Sequence, residues 1–464
     1  MAGQRPIQAP ERLAEAEGGG EPETPIGTPR SDVLVETEVV AGRGPESTLE
    51  YQPRPTPIGR GVVALRHRDF LLYFSGQLVS LIGTWMQIIA QSWLVLELTN
   101  NSAFILGALS ALQFLPILTL SIFGGVVADR LPRRQLLLGT QSASLFLAVA
   151  LAALTQSGLV RISTVLVLAL LLGVVNAFDM PTRQAFVVEL VSPADLRSAI
   201  ALNSAAFNSA RLIGPAIAGL AIGVVGVAGA FYLNAASFVA AIGSLIFIRA
   251  GRRPVSRGMR TSSVGEDLRE GLSYALHTPL VWLIVLLVGL VGTFGMNFNV
   301  LVPLLARAVL GLQATQFGFL AAASGLGSLV AALLLAYLPR TPSPYALLAS
   351  AAALGLTEIA LAGVRTFGLA MLVLAGSGFA MVFFSTLANT ILQLRTPNAL
   401  RGRVMSLYAT VFAGTTPIGS LFTGAVAQTQ TVAVAFFTNG LISVGAAVAL
   451  GLVSLRFRRG RDEQ

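Results

Sequence analysis

The chain contains no lysine and no cysteine, and it has only two histidines, His67 and His277. All 31 of its basic residues are therefore arginine. Without lysine there is no Walker A phosphate loop and no Schiff-base nucleophile. Without cysteine there are no disulfides, thiolate metal sites or iron–sulfur clusters. Two histidines far apart in sequence do not make a multi-histidine metal site. No nucleophile–base–acid set stands out either, so neither an enzyme nor a cofactor is expected. Charge is scarce too: 11% of residues are charged, where a soluble domain carries about 25%.

What remains is apolar. Of the 464 residues, 54% are hydrophobic, and the mean hydropathy is +0.74. That composition fits a chain whose main solvent is a lipid bilayer. The formal net charge of +9 does not imply nucleic acid, because the arginines sit in short segments between apolar runs, where they set orientation.

Residues 1–60 are rich in Glu, Pro, Gly and Thr, as in the stretch from Glu15 to Thr24. Such a segment buries too little apolar surface to offset its chain entropy, and it reads as a disordered cytoplasmic tail. It lacks the basic and apolar regions of a signal peptide. From Phe70 onward, apolar runs predict twelve spans, at roughly 70–96, 104–128, 135–156, 162–186, 199–224, 227–249, 280–306, 315–338, 344–363, 367–393, 403–427 and 432–456. The expected fold is an all-α membrane protein of two pseudo-symmetric six-helix bundles, 61–249 and 279–456. A central cytoplasmic loop, 250–278, joins them, and 457–464 forms a second short tail.

Arginine tests the topology. With the amino terminus inside, nineteen arginines fall in the inner segments after the tail, and only Arg161, Arg307 and Arg365 in the outer ones. Shifting the register by one span destroys that asymmetry, so both ends are expected inside. The halves also echo one another. Pro193-Ala-Asp195-Leu-Arg197 precedes the fifth span and Pro397-Asn-Ala399-Leu-Arg401 the eleventh, while each histidine precedes the first span of a half. Internal repeats of this kind mark transporters with a midplane site between two bundles.

Two motifs sharpen the reading. Between spans 2 and 3 stands Gly125-Val-Val-Ala-Asp129-Arg130-Leu-Pro132-Arg133-Arg134. Gly125 is expected to let two helices approach closely. Asp129 is expected to face a helix amino end or an arginine across the bundle interface. In span 5, Arg211-Leu-Ile-Gly214-Pro215-Ala-Ile-Ala-Gly219 combines small packing residues with a helix-bending proline. The first motif resembles the loop signature of the major facilitator superfamily, with Pro132 where that signature has its second glycine. The second resembles the superfamily's antiporter signature. Asp179-Met-Pro181-Thr-Arg183, Ala201-Leu-Asn203, Trp93 to Thr99, Asn297-Phe-Asn299 with Pro303, and Arg401-Gly-Arg403-Val are similar to the branch of enterobactin exporters and related efflux proteins, of transmembrane secretion effector type. The resemblance spans about residues 62–456. It implies a gating loop at Gly125, Asp129, Arg130, Arg133 and Arg134, an antiporter-like helix at Arg211, Gly214, Pro215 and Gly219, and proton coupling.

Ionisable groups inside spans are costly, and therefore informative. Glu97, Asp179 and Glu358 are the proton-coupling candidates, with an interfacial carboxylate as the alternative for each; Asp179 is also placed to pair with Arg130 or Arg133. Arg211 is read as anion-binding, charge-relaying or structurally paired, the last being favoured. Gln87, Gln91, Gln113, Asn203, Asn208, Asn297, Asn299 and Asn389 are candidates to line a cavity or to tie helices together. The expectation is a monomeric secondary transporter of the inner membrane, exporting an amphipathic small molecule or siderophore in exchange for protons. An uptake permease of the same fold, or a non-transporting membrane subunit or sensor, stays open.

Overall fold

A computed structural model describes residues 62–249, 264–337 and 342–462. The tail read at 1–60 and residues 250–263 of the central loop lie outside them. The described chain is helical, and no strand occurs in it. A short 3-10 turn, Val63–Arg66, leads into α1 (Arg68–Leu98), α2 (Ala103–Arg130), α3 (Arg133–Gln156), α4 (Ile162–Leu190) and α5 (Leu196–Phe247). The second half holds α6 (Val264–His277), α7 (Pro279–Phe294), α8 (Phe298–Leu304), α9 (Ala314–Tyr337), α10 (Pro344–Gly363), α11 (Phe367–Arg395), α12 (Asn398–Thr429) and α13 (Val432–Asp462).

Among the described residues, ten helical stretches are long and apolar enough to cross a membrane. That number takes the 52 residues of α5 as one stretch and omits α12. A straight α-helix of that length would run to about 78 Å, far beyond a hydrocarbon core of about 30 Å. Gly226 divides it. Its φ of 74° and ψ of 177° are non-helical, and a backbone there is open mainly to glycine. The chain reverses at the place where the sequence separates 199–224 from 227–249.

The stretch read as a loop at 250–278 contains α6, whose Leu268, Leu272 and Ala275 recur at helical spacing. The span read at 280–306 is one membrane-crossing stretch, Pro279–Val309, with a break between α7 and α8 at Gly295-Met-Asn297 and a π-helix at Leu305–Val309. Helix α13 also runs through most of 457–464.

The halves repeat a packing scheme. In the first, α2 packs on α4 while α1 and α3 pack on α5; in the second, α9 packs on α11 and α10 on α13. The halves meet along two seams, α2 with α12 and α5 with α9. Both seams are backbone against backbone. A Cβ added to Gly424 would lie 2.7 Å from the Ala103 carbonyl oxygen and 3.2 Å from Gly107 Cα. One added to Gly219 would lie 2.8 Å from the Thr315 carbonyl oxygen and 3.0 Å from Gly318 Cα. Small residues let membrane helices approach this closely.

Candidate functional site

The close approaches between halves lie between the mid-depth of the helices and one face, the arginine-poor face that carries loops 99–102, 310–313 and 430–431. There Ser102 Oγ donates to Gln428 Oε1 at 3.0 Å, and Thr315 Oγ1 to the Gly219 carbonyl at 3.0 Å. Trp93 stacks on Phe317 with centroids 5.7 Å apart. Arg307, on the π-turn, stands 3.5 Å from Glu97 Oε1, and its guanidinium lies 4.7 Å above the Trp93 ring. Trp93 Nε1 donates to the same carboxylate at 2.7 Å. Glu97 is thus a half-exposed member of a cluster that ties α1 to the second half.

Toward the arginine-rich face α5 and α11 carry exposed or half-exposed residues instead: Ser204, Phe207 and Asn208 on one, Asn389 and Gln393 on the other. Arg211 follows Asn208 by about one turn of α5. Its Nη2 meets Met381 Sδ at 3.6 Å, and its guanidinium lies 5.7 Å from the Trp85 ring centroid. Phe207 packs edge-on against Trp85 at 5.8 Å. The structural pairing favoured for Arg211 is not present: among the described residues no carboxylate lies within ion-pair distance of it.

The gating-loop residues lie at the end of α2 and the start of α3. Gly125 has nothing within 4 Å of an added Cβ, whereas at neighbouring Gly124 a Cβ would strike the Ala177 carbonyl and Phe178 of α4. The close approach is therefore one residue earlier, because a single residue turns the helix by about 100°. Asp129 is 64% exposed, and Arg133 is among its partners at 3.4 Å. Arg133 is the buried member and reaches Glu189 Oε1 at 2.6 Å, an acid that sequence reading did not single out. Arg134 donates to the carbonyls of Leu245 and Ile246 at 2.7 and 2.9 Å, closing the last turn of α5. Arg130 is exposed. Pro132, at φ −58°, is the N-cap of α3, a conformation its ring already fixes.

On α5, Gly214 and Gly219 serve different neighbours. Gly214 abuts Trp85 and Ile82 of α1, while Pro215 and Gly219 lie against Gly318 of α9. Asp179 does not pair with Arg130 or Arg133. It is held by Arg183 one turn along α4, and Oδ1 accepts from Thr140 Oγ1 at 2.6 Å and Gln141 Nε2 at 2.9 Å. Glu358 contrasts with both other acids. Its exposure is 0%, and among the described residues neither carboxylate oxygen has a hydrogen-bond partner. It lies beside the crossing of α10 and α13, where Gly355 and Ile359 touch Gly440. Next to Gly440, the buried Asn439 donates to Thr423 Oγ1 at 2.9 Å, leaving its own Oδ1 unpartnered.

The cavity candidates separate. Gln87 accepts from Asn234, Gln91 Oε1 accepts from Gln113 Nε2 at 3.2 Å, and Asn297 donates to the Thr293 carbonyl at 2.6 Å. Gln87, Gln91 and Asn297 are buried and tie helices together or close a helix break. Asn203, Asn208, Asn299 and Asn389 are half-buried. Asn389 accepts from Gln393 at 2.6 Å. Among the described residues no cluster of three or more histidines and acids is placed to hold a metal.

Outside the spans, His67 Nε2 and Asp195 Oδ2 are 2.8 Å apart, and Ser192 Oγ donates to the same oxygen at 2.8 Å. These bonds, that of His67 foremost, hold the Asp195 carboxyl below its ordinary range. In the second half Ala399 stands at the equivalent place, and His277 bonds instead to the Ser273 carbonyl at 2.7 Å.

A family model described as transmembrane secretion effector matches residues 61–463. The staphyloferrin A transporter of Staphylococcus aureus is 27% identical over 57% of this chain and 66% of its own length, just under two thirds of that relative. The multidrug efflux pump Tap of Mycolicibacterium fortuitum is 26% identical over 84% of this chain and 96% of its own. The enterobactin exporter EntS of Escherichia coli is 29% identical over 74% and 82%. Among solved structures, the nucleoside transporter NupG superposes with a TM-score of 0.68 at 12% identity, covering 83% of this chain and 98% of that one.

Proposed function

The chain belongs to the transmembrane secretion effector family of multi-pass membrane transporters, and from that premise we propose that it exports an amphipathic small molecule by alternating access in exchange for protons. Twelve spans carry this cycle, with α5 counted twice at Gly226 and α12 included. They form bundles at 61–249 and 279–456, in the inner membrane, with both ends and the 250–278 segment cytoplasmic and the protein a monomer. The observation that carries the reading is the one-sided closure. Glycine seams and the Glu97–Arg307 cluster join the halves toward the arginine-poor face, and we read the exposed residues of α5 and α11 as a cleft opening toward the arginine-rich face, which this reading makes cytoplasmic. Substrate enters from the cytoplasm. Rocking about the seams then moves the opening outward, and the Gly125–Arg134 loop holds the inner mouth closed in that state. The efflux and exporter names of two relatives support the outward direction.

Glu358 is the coupling residue in this reading. Asp179 is committed to Arg183 and Glu97 to Arg307, whereas Glu358 is buried without a partner, and a proton removes a charge that is otherwise costly there. The test is transport in proteoliposomes under an imposed pH gradient, with a panel of dyes and siderophores. Glu358→Gln should abolish gradient-driven transport and keep substrate exchange, while Glu97→Gln keeps both. Parent rates in Glu358→Gln would place coupling elsewhere or on another ion.

A further inference from the structure

Among the described residues, Arg211 is a cation without a counter-ion. It stands halfway along the first arm of α5, about 22 Å from the start of the helix. Intramembrane arginines face partners or water-filled space. The acids of the first half's spans are otherwise engaged: Asp179 with Arg183 and Glu97 with Arg307. Glu358 is buried beside the α10–α13 crossing of the second half. What touches Arg211 is a thioether and an aromatic ring. A thioether is a weak acceptor, and a guanidinium carries five donors. The neighbours come from both halves, Trp85 from α1 and Met381 from α11. Beside the charge, Phe207 leaves 43% of its surface exposed while its ring abuts Trp85. Asn208 and Asn389, both half-buried, lie nearer the arginine-rich face.

We propose that Arg211 anchors the anionic group of the transported compound, and that Trp85 and Phe207 support its aromatic or apolar body; the substrate class is thus an amphipathic organic anion. The proposal rests on the reading of this cleft as the transport pathway. A planar carboxylate or sulfonate accepts two parallel bonds from a guanidinium. Because α5 and α11 belong to opposite halves, an anion on Arg211 sits where their separation changes during rocking.

The experiment measures equilibrium binding to the full chain in phosphatidylcholine nanodiscs, without a gradient. The probes are fluorescein, an anion at neutral pH, and rhodamine 123, a cation on the same ring system. The parent should bind fluorescein at least about tenfold more tightly than rhodamine 123, the scale of hydrogen bonds to a charged group. Arg211→Gln should erase that preference, Arg211→Lys should keep most of it, and Phe207→Ala should weaken both probes alike. A purely structural arginine would leave the preference unchanged in Arg211→Gln. That result, or a parent that prefers rhodamine 123, overturns the proposal. Should Arg211→Gln fail to fold, the parent decides the matter by competition: benzoate must displace fluorescein and benzylamine must not. Binding needs no gradient, so anion preference without fluorescein efflux would sink the export reading and leave the site standing. Efflux without anion preference would do the reverse.

Discussion

A valine at position 424 should open the arginine-poor face. Gly424 lies at the crossing of α2 and α12, and its first added carbon would stand 2.7 Å from the Ala103 carbonyl oxygen and 3.2 Å from Gly107 Cα. Both obstacles are backbone, so no side chain can swing aside. Overpacking of this kind costs about 1–3 kcal/mol. The closed arrangement bears the cost, and an arrangement with the halves parted there does not. At a tenfold change per 1.4 kcal/mol, the balance moves toward the parted state by about 5- to 150-fold. The chain has no cysteine, so Ser420→Cys gives a single label. Ser420 is 1% exposed, and its carbonyl abuts Gly107. The rate of its reaction with a membrane-impermeant maleimide should rise within that range in Gly424→Val. Gly445→Val is the control, because nothing lies within 4 Å of a Cβ there. Equal labelling rates in the two variants would refute the account of the seam as the contact that opens.

Asp179→Asn should act as a stability lesion: removing one partner of the buried pair with Arg183 costs about 3–5 kcal/mol, read as a lower thermal midpoint in detergent, while the pH dependence of transport in surviving protein stays that of the parent. Asp195→Asn should also lower the midpoint at pH 7. Because the Asp195 carboxyl is held below its ordinary range, its contribution is present above the unfolded carboxylate pKa of about 4 and is lost as pH falls through the folded value, so parent and variant should converge below about pH 4. For topology, cysteines at Ser157 and Thr429 should label from outside sealed cells and one at Ser192 should not; labelling at 192 would overturn the orientation.

The long helices were legible because each is an apolar run, and even the reversal at Gly226 falls where the sequence separates two runs; the polar α6 was not. The interruption at Gly295-Met-Asn297 was not, because the run around it stays apolar. Contacts were harder to read, since they depend on helix phase. Gly124 and Gly125 are indistinguishable in composition, yet one meets α4 and the other meets nothing. Asp179 was read as a partner for Arg130 or Arg133, whereas Arg183, a turn away on its own helix, pairs with it. Glu189 and Arg307 read as ordinary helix-end and loop charges until the fold brought Arg133 and Glu97 beside them. Gln87 and Asn297 are polar in a membrane either as lining or as ties, and only burial tells which.

The polar ties of the first half have a bearing on biogenesis. Asp179 joins α3 to α4, Ser80 reaches Gln141 from α1, Gln87 is bonded by Asn234 of α5, and His67 clasps the start of α5. All of these partners are synthesised before residue 264. The first five helices can therefore dock and satisfy one another in the bilayer while the rest is still being translated. The later helices, with Glu358 and the Asn439 carbonyl oxygen unmatched, then assemble against a finished template.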